Sequence, residues 1–456
     1  MYKTLKTICG AMLILMLAVT ACAPKASPTA APTQPQPTQL QPTEPPKTKV
    51  TVNFWFAGAE AAVGKEMNTM AAAFTKENPD IEVKFLWETP TEKFLAAGTA
   101  GNSPDLYMTY GPQSTGSWAT AGAIAPFDEF LKRGDVDVND ILPGLLGSTT
   151  WKDKVYGLPY GTDMSMLYYN ADMFKAAGLD PEKPPVTMEE LLQDAEKLTV
   201  VEGGSLKQIG WLPNYGWTHV AGDGSITVRF GATFFNKDGS SGLDDPRWVE
   251  VFNWAKWPFD KYGVDNVNRL ISGFGEYGTA QDPVCTGKLA MIYDGEWTVL
   301  NIKRNCPDLN YRVVRFPYPT AHPDLKDNFE MGGSTIYMPS GAPHKEEAWK
   351  FLTYMMKPEN IDMFCLASTN GNIPHSIKAL KLYDNYKANL PPDFKYFIDL
   401  ALTAKPTVIP ASSISDEFFS ELMKLEEQIY SGKIGVQEGL KNTQDTLIGI
   451  FKEKGG

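Results

Sequence analysis

Histidine and cysteine are scarce in this chain, four and five residues in 456. His219, His322, His344 and His375 are scattered with no HExxH spacing, so solvated loops rather than a zinc site are expected. A G-x-S-x-G turn, a Walker loop and a nucleophilic Cys/His pair are missing, which removes the commonest hydrolytic and phosphoryl-transfer signatures. Positive charge is in deficit, with 42 Lys and Arg against 54 Asp and Glu and a formal charge of −12. That balance argues against nucleic acid or anionic lipid as a partner. Beyond the first residues no run is long and apolar enough to span a bilayer, which takes roughly 20 residues. No repeat of solenoid length is present. Asp135, Asp137, Asn139 and Asp140 resemble part of a calcium loop but lack its glycine and terminal glutamate. The Asn236–Gly239 segment reads as a turn. No metal or cofactor is expected.

The ends and the composition supply the rest. Lys3 and Lys6 precede an apolar core from Ile8 to Val19, too short for a span and right for an export signal. Val19-Thr20-Ala21-Cys22 resembles the bacterial lipobox, which implies cleavage before Cys22 and lipid on its thiol. Loss of residues 1–21 would take the formal charge to −14. Residues 22–49 form a tether of Pro, Thr, Ala and Gln that cannot bury enough surface to fold. As polyproline II it would reach roughly 80 Å at ~3.1 Å per residue. Cys285 and Cys306 bracket one helix–strand–helix segment and are the expected disulfide of an oxidising compartment. Cys365 is left as a buried small hydrophobe.

The remaining roughly 400 residues exceed what one core usually serves, so two lobes are expected. Val50–Phe56 alternates as a strand, and a helix follows with Met67, Met70, Ala71 and Phe74 at helical spacing, stopped by Asn78-Pro79. Ile81–Leu86 is a second strand, Glu92–Ala100 a helix and Asp105–Tyr110 a third strand. This order implies a parallel α/β sheet with right-handed crossovers, whose ligands bind beyond the carboxyl ends of the strands. That places Trp55 to Gly58 and Tyr110 to Gln113 at the candidate site. Further on, Met188–Leu198 and Pro246–Tyr262 read as helices, and Leu289–Tyr293 as a buried strand that runs into Asp294-Gly295-Glu296-Trp297.

Several segments, taken in order, resemble the family 1 extracellular solute-binding proteins of ABC importers, the group containing maltose-binding protein. They are Phe54-Trp55, Phe74–Val83 (FTKENPDIEV), Ala97–Asp105 (AGTAGNSPD), Ala121–Phe127 (AGAIAPF), Tyr156–Tyr160 (YGLPY), Leu167–Asn170 (LYYN), Phe174–Leu179 (FKAAGL), Gly287–Trp297 (GKLAMIYDGEW), Gly332-Gly333 and Glu347–Phe351 (EAWKF). Glu296 departs from the family's usual proline, and the tail after Ile377 carries little motif. The resemblance implies a two-lobed periplasmic-binding-protein fold of type II, with discontinuous lobes, hinge strands and a ligand cleft between them. Lobe one would be 50–159 plus 331–370 and lobe two 160–330 plus 371–456, with hinges near Pro159-Tyr160, Phe329-Glu330 and Asn370–Ile373. It also implies a monomer outside the cytoplasm, anchored to the membrane by its lipid, that passes a small molecule, a sugar above all, to permease subunits.

Sugar capture needs flat apolar faces for C–H surfaces and amides or carboxylates for hydroxyls. Trp297 begins a helix after a buried strand and matches the family's cleft tryptophan. Asp163 lies just past the first hinge, where the family often has an acidic sugar ligand; a helix cap is its other reading. Tyr110, Gln113 and Tyr160 lie at strand ends or the hinge. Trp55 faces the cleft unless strand alternation turns it away in favour of Phe54 and Phe56. Trp211 and Trp217 flank an aromatic loop that is either a stacking platform or packing. Gly332-Gly333 serves either backbone approach to ligand or a tight hinge turn. Asp294 and Glu296 share one turn and read as hydroxyl ligands or N-caps. As paired carboxylates they are also the one enzyme-like feature, a lipid-anchored glycoside hydrolase or lyase. The same fold with a polyamine, peptide or phosphodiester as cargo is a further alternative, since an acidic aromatic cleft suits a cation.

Overall fold

A computed structural model describes residues 49–216, 219–220, 226–367, 371–403 and 406–455. Cys22, the tether, Trp217 and Asn370 lie outside the described residues. In chain order the strands are β1 (Val50–Phe56), β2 (Ile81–Leu86), β3 (Leu106–Thr109), β4 (Ile124–Ala125), β5 (Thr150–Trp151), β6 (Lys154–Val155), β7 (Gly157–Pro159), β8 (Met166–Asn170), β9 (Val200–Glu202), β10 (Ser205–Trp211), β11 (Leu289–Asp294), β12 (Tyr311–Val314) and β13 (Thr335–Pro339).

Alternation decides which faces meet. In β1, Val52, Phe54 and Phe56 are fully buried, against a helix (Glu60–Glu77) that buries Val63, Met67, Met70, Ala71 and Phe74. That helix stops at Asn78, since the residue before Pro79 is disfavoured in the helical region, and the Asn78 side chain caps the Phe74 carbonyl at 3.0 Å. The Met188–Leu198 helix opens on a capping box: Thr187 Oγ accepts from the Glu190 amide, and Glu190 accepts from the Thr187 amide. The helix expected over 246–262 is two helices, Arg247–Ala255 and Trp257–Tyr262. Pro258 has no N–H to continue the ladder, so the chain breaks just before it.

Two mixed sheets result. The first runs β2-β1-β3-β13-β4, with β7 also on β13; the second runs β12-β8-β11-β10-β9. In the first sheet β1 is parallel to β2 and β3, as the strand–helix–strand order requires. The expected all-parallel sheet is corrected by β13, which enters from far along the chain and pairs antiparallel with β3, β4 and β7. This is a two-lobed α/β fold of the periplasmic-binding type, one sheet to each lobe.

The chain passes between the sheets at neighbouring places. The Tyr160 amide donates to the Ser334 carbonyl at 2.7 Å, Thr162 and Ile373 exchange backbone bonds of 2.7 and 3.0 Å, and the Thr162 hydroxyl donates to the Gly332 carbonyl at 2.6 Å. Segments 160–163, 332–334 and 371–373 therefore lie side by side. The tail is shared between the lobes: Ser376 bridges to Ile141, and the Ser117 hydroxyl donates to the Ser413 carbonyl. Phe418, further on, packs against Phe234, Phe235 and Trp248. The carboxylates around 135–140 are structural ties, Asp135 accepting from Trp349 Nε1 and Asp140 from Ser376 Oγ.

Candidate ligand-binding cleft

Beside these crossings lies a cavity of about 470 Å³, within the range usual for small-molecule sites. One wall comes from the ends of β1 and β3: Ala59, Ala61, Ala62, Tyr110, Gly111 and Gln113. The other comes from the helix Trp297–Asn305 and a preceding loop: Tyr277, Trp297, Asn301 and Arg304. The crossings supply Asp163, Ser165, Glu330, Gly332, Gly333 and Asn372.

Trp297 is held by a relay of hydrogen bonds. Its indole Nε1 donates to the Tyr277 hydroxyl at 2.6 Å, and that hydroxyl donates to Asp294 Oδ2 at 2.7 Å. Asp294 also accepts from Thr298 Oγ at 2.7 Å and from the Gly295 amide at 2.9 Å. The indole folds back over Gly295, where an added Cβ would come within 2.3 Å of the ring; only glycine fits there. Tyr215 stands edge-on to Tyr277 at 6.0 Å. Below, Cys285 and Cys306 are joined by a disulfide, and Asn305 Nδ2 donates to the Gly278 carbonyl at 2.6 Å. The segment between the two cysteines is one strand and one helix. A strap thus ties the end of the tryptophan helix to the segment after Tyr277. Cys365 is a free, buried thiol.

The electrostatics centre on carboxyls at the crossing end. Asp163 accepts from Asn372 Nδ2. Burial pushes it up to about 6, against the opposing hydrogen bonds from Glu296 and Asn372. Glu296 is fully buried and accepts from the Met164 amide at 2.9 Å. Burial first, and then the Asp163 charge, lift it well above the carboxylate range. Burial also raises Asp294 to about 6. His375 Nδ1 accepts from the Gly161 amide at 3.1 Å, and burial lowers this histidine to about 3, so it is neutral.

The bacterial extracellular solute-binding protein family matches residues 57–362. The chain belongs to that family. Among its relatives, the sn-glycerol-3-phosphate-binding periplasmic protein UgpB of Escherichia coli (strain K12) is 29% identical over 322 residues, covering 68% of this chain and 71% of UgpB. The structure of CpMnBP1 with mannotriose bound superposes with a TM-score of 0.76 at 29% identity, covering 87% of this chain and 99% of that one. UgpB from Mycobacterium tuberculosis in complex with glycerophosphocholine shares the fold at a TM-score of 0.68 and 18% identity, over 89% and 99% of the two chains. The protein is thus a solute-binding component of an ABC importer, working outside the cytoplasm on a small-molecule ligand.

In this solute-binding protein, Tyr110, Gln113, Asp163, Trp297, Gly332 and Gly333 come together in the cavity. Asp294 and Glu296 sit behind the lining, committed to internal hydrogen bonds rather than facing ligand as a carboxylate pair. The two glycines differ: a Cβ on Gly333 (φ +127°) would meet the Thr162 backbone at 2.6 Å, whereas Gly332 is open. Trp55 does not line the cavity. Alternation turns it to the other face of β1, beside the cluster of Phe94, Tyr107 and Trp118, with Lys93 over its ring. Tyr160 is corrected to a core residue, its hydroxyl donating to the Asn360 carbonyl at 3.3 Å and its ring against Phe364. Trp211 is likewise core, packed on Trp254 and Phe316. Tyr277, Asn301 and Arg304 were not singled out from sequence, and Glu330 and Asn372 were read only as parts of expected hinges. Asn301 and Arg304 had a signal, since positions four and seven after Trp297 share its helical face. Tyr277 had none, because tertiary structure alone brings it in.

Proposed function

We propose that this solute-binding protein captures an oligosaccharide between its lobes and delivers it to its permease while held at the membrane by lipid on Cys22. The observation that carries this reading is Trp297. A half-buried indole is fixed by Tyr277 in a cavity whose polar groups include the amides of Gln113, Asn301 and Asn372 and the carboxyls of Asp163 and Glu330, the pairing a sugar's C–H faces and hydroxyls require. The likeness to CpMnBP1, solved with mannotriose, supports it. The lobes, 50–159 plus 331–370 and 160–330 plus 371–456 apart from the shared tail, would close as a monomer about the crossings, ligand selecting the closed state. Asp294 and Glu296, the carboxylate pair that suggested a glycosidase, are held in internal hydrogen bonds behind the lining, and binding without turnover is the expected behaviour.

Titration calorimetry and thermal shift with mannobiose and mannotriose test the proposal. Stabilisation should follow ligand excess over Kd, with no new reducing ends released. A glycerophosphodiester is the second reading, favoured by the identity to UgpB. Stabilisation by glycerophosphocholine but by no saccharide would replace the sugar while leaving the transport role intact. Anchoring is tested separately: cells should acylate the wild type and not Cys22→Ser, and acylation of that variant would refute the tether.

A further inference from the structure

The helix that carries Trp297 continues along the cavity. Trp297, Asn301 and Arg304 are spaced i, i+4, i+7, a single stripe, and all three line it. At ~1.5 Å per residue, Arg304 stands roughly 10 Å along the helix axis from Trp297. The backbones are that far apart, and the guanidinium reaches back to Asn301, about one turn nearer. The start of the helix belongs to the other end of the cavity. Glu296, just before Trp297, faces Asp163, and Leu300 packs on the Gly371 crossing beside Asn372. Glu330 belongs to that end as well, two residues before Gly332, whose amide donates to the Asp163 carbonyl. The lining is therefore polarised, with carboxyls at the crossings and a guanidinium at the far end.

Arg304 is the one cation among the described lining residues. No described carboxylate lies within ion-pairing distance of it; its Nη2 donates to a neutral partner, Asn301 Oδ1, at 2.5 Å. A guanidinium has five N–H donors in a rigid fork, so most remain for a ligand. A cation in a last helical turn also complements the helix dipole. Lys303 already fills that role, and it reaches away to the Asn389 carbonyl at 3.0 Å.

We propose that Arg304 is an anion-reading subsite at the far end of the cleft, and that the cargo is an extended saccharide bearing a carboxylate or phosphate. One neutral ring stacks on Trp297, its hydroxyls meet Asp163 and Asn372, and the anionic group, beyond that ring, takes the Arg304 fork. This rests on the saccharide reading above and narrows it to acidic saccharides.

The test compares mannotriose, the same trimer with one terminal ring oxidised to a uronate, and sn-glycerol 3-phosphate by calorimetry on wild type, Arg304→Gln and Arg304→Lys. In the wild type the uronate should bind about tenfold tighter than mannotriose or better, the gap narrowing as salt is raised. In Arg304→Gln the ratio should fall to near one. Arg304→Lys should keep part of it, having the charge without the fork. Equal affinities for the two trimers in the wild type, or an undiminished ratio in Arg304→Gln, would overturn the subsite and leave the saccharide reading standing. Binding of glycerol 3-phosphate alone, lost in Arg304→Gln, would do the reverse. Binding of none of the three would overturn both.

Discussion

The two walls of the cleft are built on opposite plans. The wall beyond β1 and β3 combines loop residues with the first turn of the Glu60–Glu77 helix, three of its residues alanines, with Tyr110 and Gln113 as its sizeable side chains. The opposite wall is one helical stripe braced by Tyr277, Asp294, Thr298 and a disulfide. A ligand meeting both finds one prearranged surface and one small, accommodating cover. Binding energy should then concentrate on the braced wall, where the ordering cost was met on folding.

The sharpest way to break that asymmetry is Trp297→Ala. Affinity for a bound oligosaccharide should fall about a hundredfold, near 3 kcal/mol, as for a central aromatic anchor; calorimetry reads it, and a change under threefold would dismiss the stacking role. Next comes the strap. Replacing Cys285 and Cys306 by Ser opens a loop with a sequence separation of 21, which should cost roughly 3 kcal/mol of stability in denaturant unfolding. Affinity should weaken severalfold at the same time. A stability loss with affinity unmoved would show that the brace does not reach the site. Tyr277→Phe removes one link of the relay and should cost about 1 kcal/mol of binding.

Acidity should distinguish the walls too, because the titrating carboxyls belong to the crossings and the braced side. Asp163 and Asp294 have folded values of about 6, above the ~3.9 of an unfolded Asp. The native state therefore binds more protons, and their contribution favours folding below ~3.9 and is lost as pH rises through about 6. His375, lowered to about 3, opposes this as pH falls from ~6.5 toward 3. Asp294→Asn should flatten the rise in stability on going from pH 7 to 5; an unchanged slope would remove Asp294 from the account. The smallest effect is expected for Gln113→Ala on the loop wall, about threefold in affinity, or roughly 0.6 kcal/mol.

Legibility in the sequence followed the same division. Strand ends and motif residues were readable because chain-local rules fix them: Tyr110 and Gln113 follow a strand, Trp297 follows a buried strand and a glycine, and Gly333 is needed by a turn. Tyr160 was misplaced, and Trp211 was left between stacking and packing, because sequence says that a residue is near a crossing or a loop and not which way it points. Trp55 is the instructive intermediate, since period-two alternation offered the correct face and only the structure selected it. The brace was half visible: a cysteine pair could be expected, but the link through Tyr277 spans a loop without pattern. Asn372 and Glu330 fall in expected hinge segments, but nothing local marks their side chains as cavity lining.

The side-by-side crossings have a mechanical consequence. Were the lobes to close as proposed, the backbone bonds from Tyr160 to Ser334 and between Thr162 and Ile373 would act like knuckles on a single door pin, favouring swing over twist or separation. Cargo length would then be converted into one closing angle. A permease that senses only this angle could reject an ill-fitting solute without touching it.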